Sequence, residues 1–216
     1  MRLRHYFLLA WSIIDPVYFF LSRLNYLDRT EEKAAIFRVR LTRYKGREVV
    51  LADGTKIKKN DVLIKIHLYN VRLLKELQHI ENDVKKAVIL YKKVKESLPY
   101  LALYVHQHKN NREIKGIIGI TMINKGCERL GFEPHAISSR PYKWIKQLAL
   151  YPIYLLSKSE IPRGSKRPDP LYLFISKDSL LKKYRIHNHL MEESPLIETK
   201  KVMTGVQQCQ TKMVKP

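Results

Sequence analysis

A histidine beside a carboxylate and a lysine can act as a general base or hold an anion, and residues 61–72 offer such a set. It comprises Asp61, Lys65, His67, Asn70 and Arg72. Residues 62–68 (VLIKIHL) alternate with a period of two, so Asp61, Lys65 and His67 share one strand face opposite Val62, Ile64, Ile66 and Leu68. The plainer alternative is that His67 bonds a neighbouring strand and Asn70 caps the helix that follows. A second set is Gly116-Ile-Ile-Gly119-Ile-Thr121. Glycines in a buried strand allow close backbone approach, and a helix opening at Thr121 would present N–H groups to an anion. Tight packing with a Thr cap is the alternative there.

Basic side chains interleave with aromatics at both ends of the chain. Arg2, Arg4, Trp11 and Tyr18 lie at one end, and Tyr142, Lys143, Trp144, Lys146 and Tyr151 at the other. Such residues can anchor a protein on an anionic membrane, or stack on bases and contact phosphates. Arg38, Arg40 and Arg43 add a basic strand face, with Lys65 and Arg72 extending it as candidate anion contacts. No helix-turn-helix, KH or RNP signature accompanies them. Cys127 and Cys209 form no CxxC, and no Cys/His group has zinc spacing, so no metal or cofactor is expected and a reducing, cytosolic setting fits best.

These groups must be positioned by a small set of elements. Residues 36–43 (IFRVRLTR) read as a strand with Phe37, Val39 and Leu41 inward and Arg38, Arg40 and Thr42 outward. Asp53-Gly54 marks a hairpin between strands at 48–51 and 55–57. With 62–68 they make an antiparallel meander of residues 36–68. Apolar residues then recur at helical spacing from Val71 to Leu98, predicting one long amphipathic helix that Pro99 ends or interrupts. Residues 114–120 form a buried strand, 122–130 a short helix closed by Gly131, and 132–137 a return strand, which together imply a parallel crossover. An aromatic helix at 142–156 is broken by Pro152. A strand at 171–175 precedes a helix that Ser176 can cap.

The chain has 216 residues and a formal charge of +21, from 41 Lys+Arg against 20 Asp+Glu. With 45% hydrophobic residues it can bury a real core, which excludes wholesale disorder. The charge favours polyanionic partners. The apolar run at 6–21 carries Asp15-Pro16 at its centre and is short for a membrane span. It reads as a core helix, an interfacial anchor or a single span, and these stay open.

The runs FRVRLTRYKG, DGTKIKKNDVLIKIHLYNVRLLKEL, KGIIGITMINKGCERLGFE and YPIYLLSK together resemble the bacterial YkoP-like family over roughly residues 5–185. The most specific stretch holds Asn60, Asp61, His67 and Asn70. Because that domain occurs alone and attached to polysaccharide deacetylases, the resemblance implies an envelope-related setting and no particular reaction. Residues 128–132 also resemble the helix-turn-strand of N-acetyltransferase-like folds, without their glycine/arginine loop. The expected architecture is a single α+β or α/β domain at 28–185. An apolar helical segment at 1–27 precedes it and a disordered tail at 186–216 follows. The expected function is an accessory protein at the cytoplasmic membrane surface, binding anionic lipid or an envelope precursor. A small acyl- or other transferase using His67 and Asp61 and a nucleic-acid-binding module are the alternatives.

Overall fold

Chain order is β1 (Asn25–Tyr26), β2 (Phe37–Arg43), β3 (Val49–Val50), β4 (Lys56–Ile57), β5 (Val62–Leu68), α1 (Asn70–Leu77), α2 (Asp83–Gln107), β6 (Ile114–Thr121), a 3-10 turn (Glu128–Leu130), β7 (Glu133–Ala136), α3 (Arg140–Ser157), β8 (Leu171–Ser176) and α4 (Lys177–Lys183). The computed structural model describes residues 20, 24–27, 36–123, 125–158 and 167–184. They fall in one compact unit ending at Arg185, and the expected tail at 186–216 lies outside the described residues.

The sheet order is β1-β2-β5-β6-β8-β7, with β5–β6 parallel and the other pairs antiparallel. Among the described residues a mixed sheet carries the helices α1 to α4, which makes this an α+β domain. The meander expected over residues 36–68 is corrected. Strand β2 pairs directly with β5, while β3 and β4 form a separate two-stranded ribbon. The Asp53-Gly54 turn is where it was expected, with Gly54 at φ +83° and Asp53 Oδ1 accepting from Thr55 N at 3.0 Å. What moves the ribbon off the sheet plane is its own apolar side. Leu51 and Ile57 fold over Leu63, Ile118 and Phe174 as a small second core.

The single long helix is also corrected. Helix α1 ends at Leu77, and α2 restarts because Asn82 Oδ1 accepts from the N–H groups of Val84 and Lys85 at 2.9 and 3.0 Å. It then runs through Pro99 instead of ending there. An internal proline removes one helical hydrogen bond and costs about 3 kcal/mol. Here Leu98, Leu101, Ala102 and Val105, buried on the sheet, offset that. The first turns of α2 are solvated, with Val84 71% and Val88 60% exposed, so those two valines are not core residues. Helix α3 likewise continues through Pro152, where a break was expected.

The unit at 114–137 differs in detail. Strands β6 and β7 run the same way, but β8 lies between them, antiparallel to both. The helix expected over 122–130 shrinks to its last turn. Thr121 Oγ1 accepts from Ile123 N at 2.9 Å, and Gly126 sits at φ +85°, which stops helical propagation. Gly131 closes the turn at φ +90°, as expected, so Leu130 and Phe132 drop into the main core. Gly116 packs where a Cβ would lie 2.7 Å from the Ile175 carbonyl oxygen, the close approach its place in the sequence predicted. Ser176 caps α4 through Ser179 N at 2.9 Å.

The main core lies between one sheet face and helices α2 and α4, with Phe37, Val39, Ile64, Ile117 and Ile175 meeting Leu101, Val105 and Leu180. The opposite face is divided. The ribbon covers one end, and α3 covers another part through Tyr142, stacked on Tyr172 with ring centroids 6.4 Å apart.

A cationic cluster under an outward-facing apolar helix

The β2–β5 register sets Arg38 opposite His67 and Arg40 opposite Lys65, all on the divided face. Their side chains point away from the main core, as the alternation required, yet that side is not simply solvated. Arg38 is only 3% exposed, with its guanidinium 3.8 Å from the Tyr69 ring centroid. This corrects the expectation of a plain basic outer face. Arg40, Lys65 and His67 are half-buried.

Lys146 comes to the same place from α3, with its ammonium 5.2 Å from the Tyr142 ring centroid. Burial pushes Lys65 down to about 8, with the positive charges of Lys146 and Arg40 adding to the effect. Burial also pushes His67 down to about 3, helped by Lys65, Arg40, Lys146 and Arg38. Lys146 is lowered by burial and by Arg40. His67 is therefore neutral near pH 7 and serves there as a hydrogen-bonding group, without a charge. The sequence placed Lys146 with the surface aromatics. The overlooked signal was the Tyr142–Lys146 spacing, which puts both on one side of a helix.

The other residues singled out in the sequence go elsewhere. Asp61 precedes β5, about 20 Å from His67 at strand rise. Lys115 binds it at 2.9 Å and Lys58 N at 2.7 Å. The general-base pairing of His67 with Asp61 is thereby undone. Asn70 is the first residue of α1, the cap position falls on Tyr69, and no side chain caps that helix. Thr121 is occupied by its turn with Ile123. Arg72 bonds Glu76 at 2.9 Å, and Arg43 donates to the Asn60 carbonyl at 3.2 Å. Of the anion-binding set, Arg38, Arg40 and Lys65 converge, while Arg43 and Arg72 do not. Burial and the Glu128 charge push the Cys127 thiol up, which keeps it protonated. Among the described residues no group of three or more His, Cys, Asp or Glu side chains is placed to hold a metal ion.

The outer side of α3 has the opposite character. Trp144 is 65%, Ile145 54% and Leu148 63% exposed. Beside them Trp144, Gln147, Leu148, Tyr151 and Arg167 line a shallow notch, with the Arg167 guanidinium 4.8 Å from the Tyr151 ring centroid. The helix contains Arg140, Lys143 and Lys146 and no acidic residue. Its apolar stripe thus faces out while Lys146 faces in, the reverse of an ordinary surface helix. Among the described residues no helix is long and apolar enough to cross a membrane. The expected interface residues Trp11 and Tyr18, and the 6–21 run apart from Phe20, lie outside the described residues.

Comparison with known proteins matches the YkoP domain to residues 4–184. A protein of Bacillus subtilis (strain 168) named "Uncharacterized protein YkoP" is 51% identical over 180 residues, covering 83% of this chain and 96% of its own length. No solved structure matches. A match over nearly the whole described fold, with half the residues shared, makes this chain a member of the YkoP domain family.

Proposed function

We propose that the protein docks on an anionic membrane surface through the outer side of α3. The observation that carries the reading is the exposed stripe of Trp144, Ile145 and Leu148 on a helix without acidic residues, in a chain of net charge +21. Apolar side chains on the outside of a helix gain free energy by entering the headgroup–acyl boundary. Arg140 and Arg167, both exposed, would each add about 1 kcal/mol near an anionic leaflet. Such a helix lies in the interface plane and does not span.

Sedimentation with vesicles tests this. Vesicles containing phosphatidylglycerol should carry the protein down, and vesicles of phosphatidylcholine alone should not. Replacing both Trp144 and Leu148 by alanine should leave most of it in the supernatant. Equal sedimentation with both vesicle types, or with neither, would refute the reading. A mobility shift on a mixed-sequence oligonucleotide, without vesicle binding, would replace it with the nucleic-acid alternative.

A further inference from the structure

We propose that the notch beside the docking stripe of α3 seats the phosphodiester of one anionic phospholipid, with Arg167 as its anchor. The inference rests on the membrane reading and deepens it: the face recognises a headgroup as well as surface charge.

The fold places this arginine. Lys143, Gln147 and Tyr151 are four residues apart and form one stripe along α3. Three successive residues leading into β8 meet that stripe in reverse order. Asp169 binds the Lys143 ammonium at 2.5 Å, and the Pro168 carbonyl accepts from Gln147 Nε2 at 3.5 Å. The Arg167 guanidinium then falls 4.8 Å from the Tyr151 ring centroid. Tyr151 is backed in turn by Tyr154, stacked with ring centroids 6.2 Å apart. A guanidinium held on an aromatic ring is ordered before any ligand arrives. Asp169 neutralises Lys143, whereas among the described residues no carboxylate pairs with Arg167. Its side chain is exposed, so that charge faces outward.

The neighbours of Arg167 set its depth, and the depth sets the ligand. Trp144 and Leu148, both exposed, form the other wall of the notch. Side chains of this kind enter the headgroup–acyl boundary, which leaves an adjoining arginine at the level of the lipid phosphates. A guanidinium fork matches two phosphate oxygens, as an ammonium does not. A choline headgroup brings a second cation against Arg167, so an anionic headgroup is favoured. The notch is shallow, which suits a headgroup entering from a bilayer better than a ligand to be enclosed.

The Trp11→Phe protein, with Trp144 as its remaining tryptophan, reports on the site. Dihexanoyl phosphatidylglycerol below its micelle concentration should change Trp144 emission saturably. Arg167→Lys keeps the charge and loses the fork, so it should weaken that binding about fivefold or more, as Arg167→Gln does. Both substitutions fall on an exposed side chain, so the fold is kept. No saturable response to the monomeric lipid, or an Arg167→Lys protein that binds it as the parent does, overturns the proposal. Phosphatidylglycerol vesicles titrated in parallel separate this from the membrane reading. Vesicle binding that survives either negative result leaves docking to charge and apolar insertion alone. Saturable, fork-dependent binding of the monomer without vesicle binding supports the headgroup site and refutes docking.

Discussion

Replacing Lys65 by methionine should stabilise the protein, because the lysine is held where its charge is unwelcome. Burial, then Lys146 and Arg40, lower it from 10.5 to about 8. A base with a depressed folded value binds fewer protons in the native state than in the unfolded chain between those two values. Stability must therefore rise as pH increases from about 8 to about 10.5, and below that window the full penalty applies. The shift corresponds to about 2–3 kcal/mol after allowance for partial exposure. Methionine keeps the length of the side chain and removes the charge. Lys65→Met should thus be more stable than the parent near neutral pH by about that amount, or about 5–10 °C in Tm for a domain of this size. The advantage should shrink toward zero at about pH 10. Tyr44, Tyr104, Tyr172 and Tyr184, all raised by burial, affect both proteins alike at high pH, so the difference between them isolates Lys65. Urea unfolding followed by circular dichroism across this range measures it. A variant no more stable at neutral pH, or an advantage independent of pH, would refute the reasoning.

The packing of β6 gives a second prediction. Gly116→Ala should lose about 1–3 kcal/mol, since its Cβ meets the backbone oxygen of Ile175. Gly119→Ala meets the side chain of Ile66 at 3.3 Å and should lose less, as thermal unfolding of the pair would show. A third concerns Asp53, where burial alone would raise the carboxyl but hydrogen bonds from Ser176, Ser179 and Thr55 lower it to about 2. Asp53→Asn should lower neutral-pH stability by about 1 kcal/mol, a modest figure for an exposed carboxylate. That contribution is present above the unfolded value of 3.8 and lost as pH falls through about 2, so acid titration of both proteins should show their stabilities converging.

Much of the fold was legible where a short stretch carries its own instruction. The alternation of residues 37–43 and 62–68, the Asp53-Gly54 turn, the Ser176 cap and the Gly131 closure depend on neighbours in sequence. The direct pairing of β2 with β5 joins strands that the ribbon separates in sequence, and no local pattern encodes it. Pro99 and Pro152 carry a strong local stop signal, yet both helices pass through them, at Pro99 because tertiary burial outweighs it. At the site, Arg38, Arg40, Lys65 and His67 were placed on the right face by period alone. Their meeting with Lys146 was hidden because α3 lies far along the chain. Asp61 and His67 share a strand face, but strand rise carries them apart, so shared orientation did not mean contact.

Membrane docking through α3 is tested most directly by the emission of Trp144. The chain has two tryptophans, so Trp11→Phe leaves Trp144 as the sole reporter. Titrating that protein with phosphatidylglycerol vesicles should shift its emission to the blue and protect it from an aqueous quencher, while phosphatidylcholine vesicles leave it as in buffer. An exposed tryptophan whose emission and quenching stay the same with both vesicle types would contradict the account.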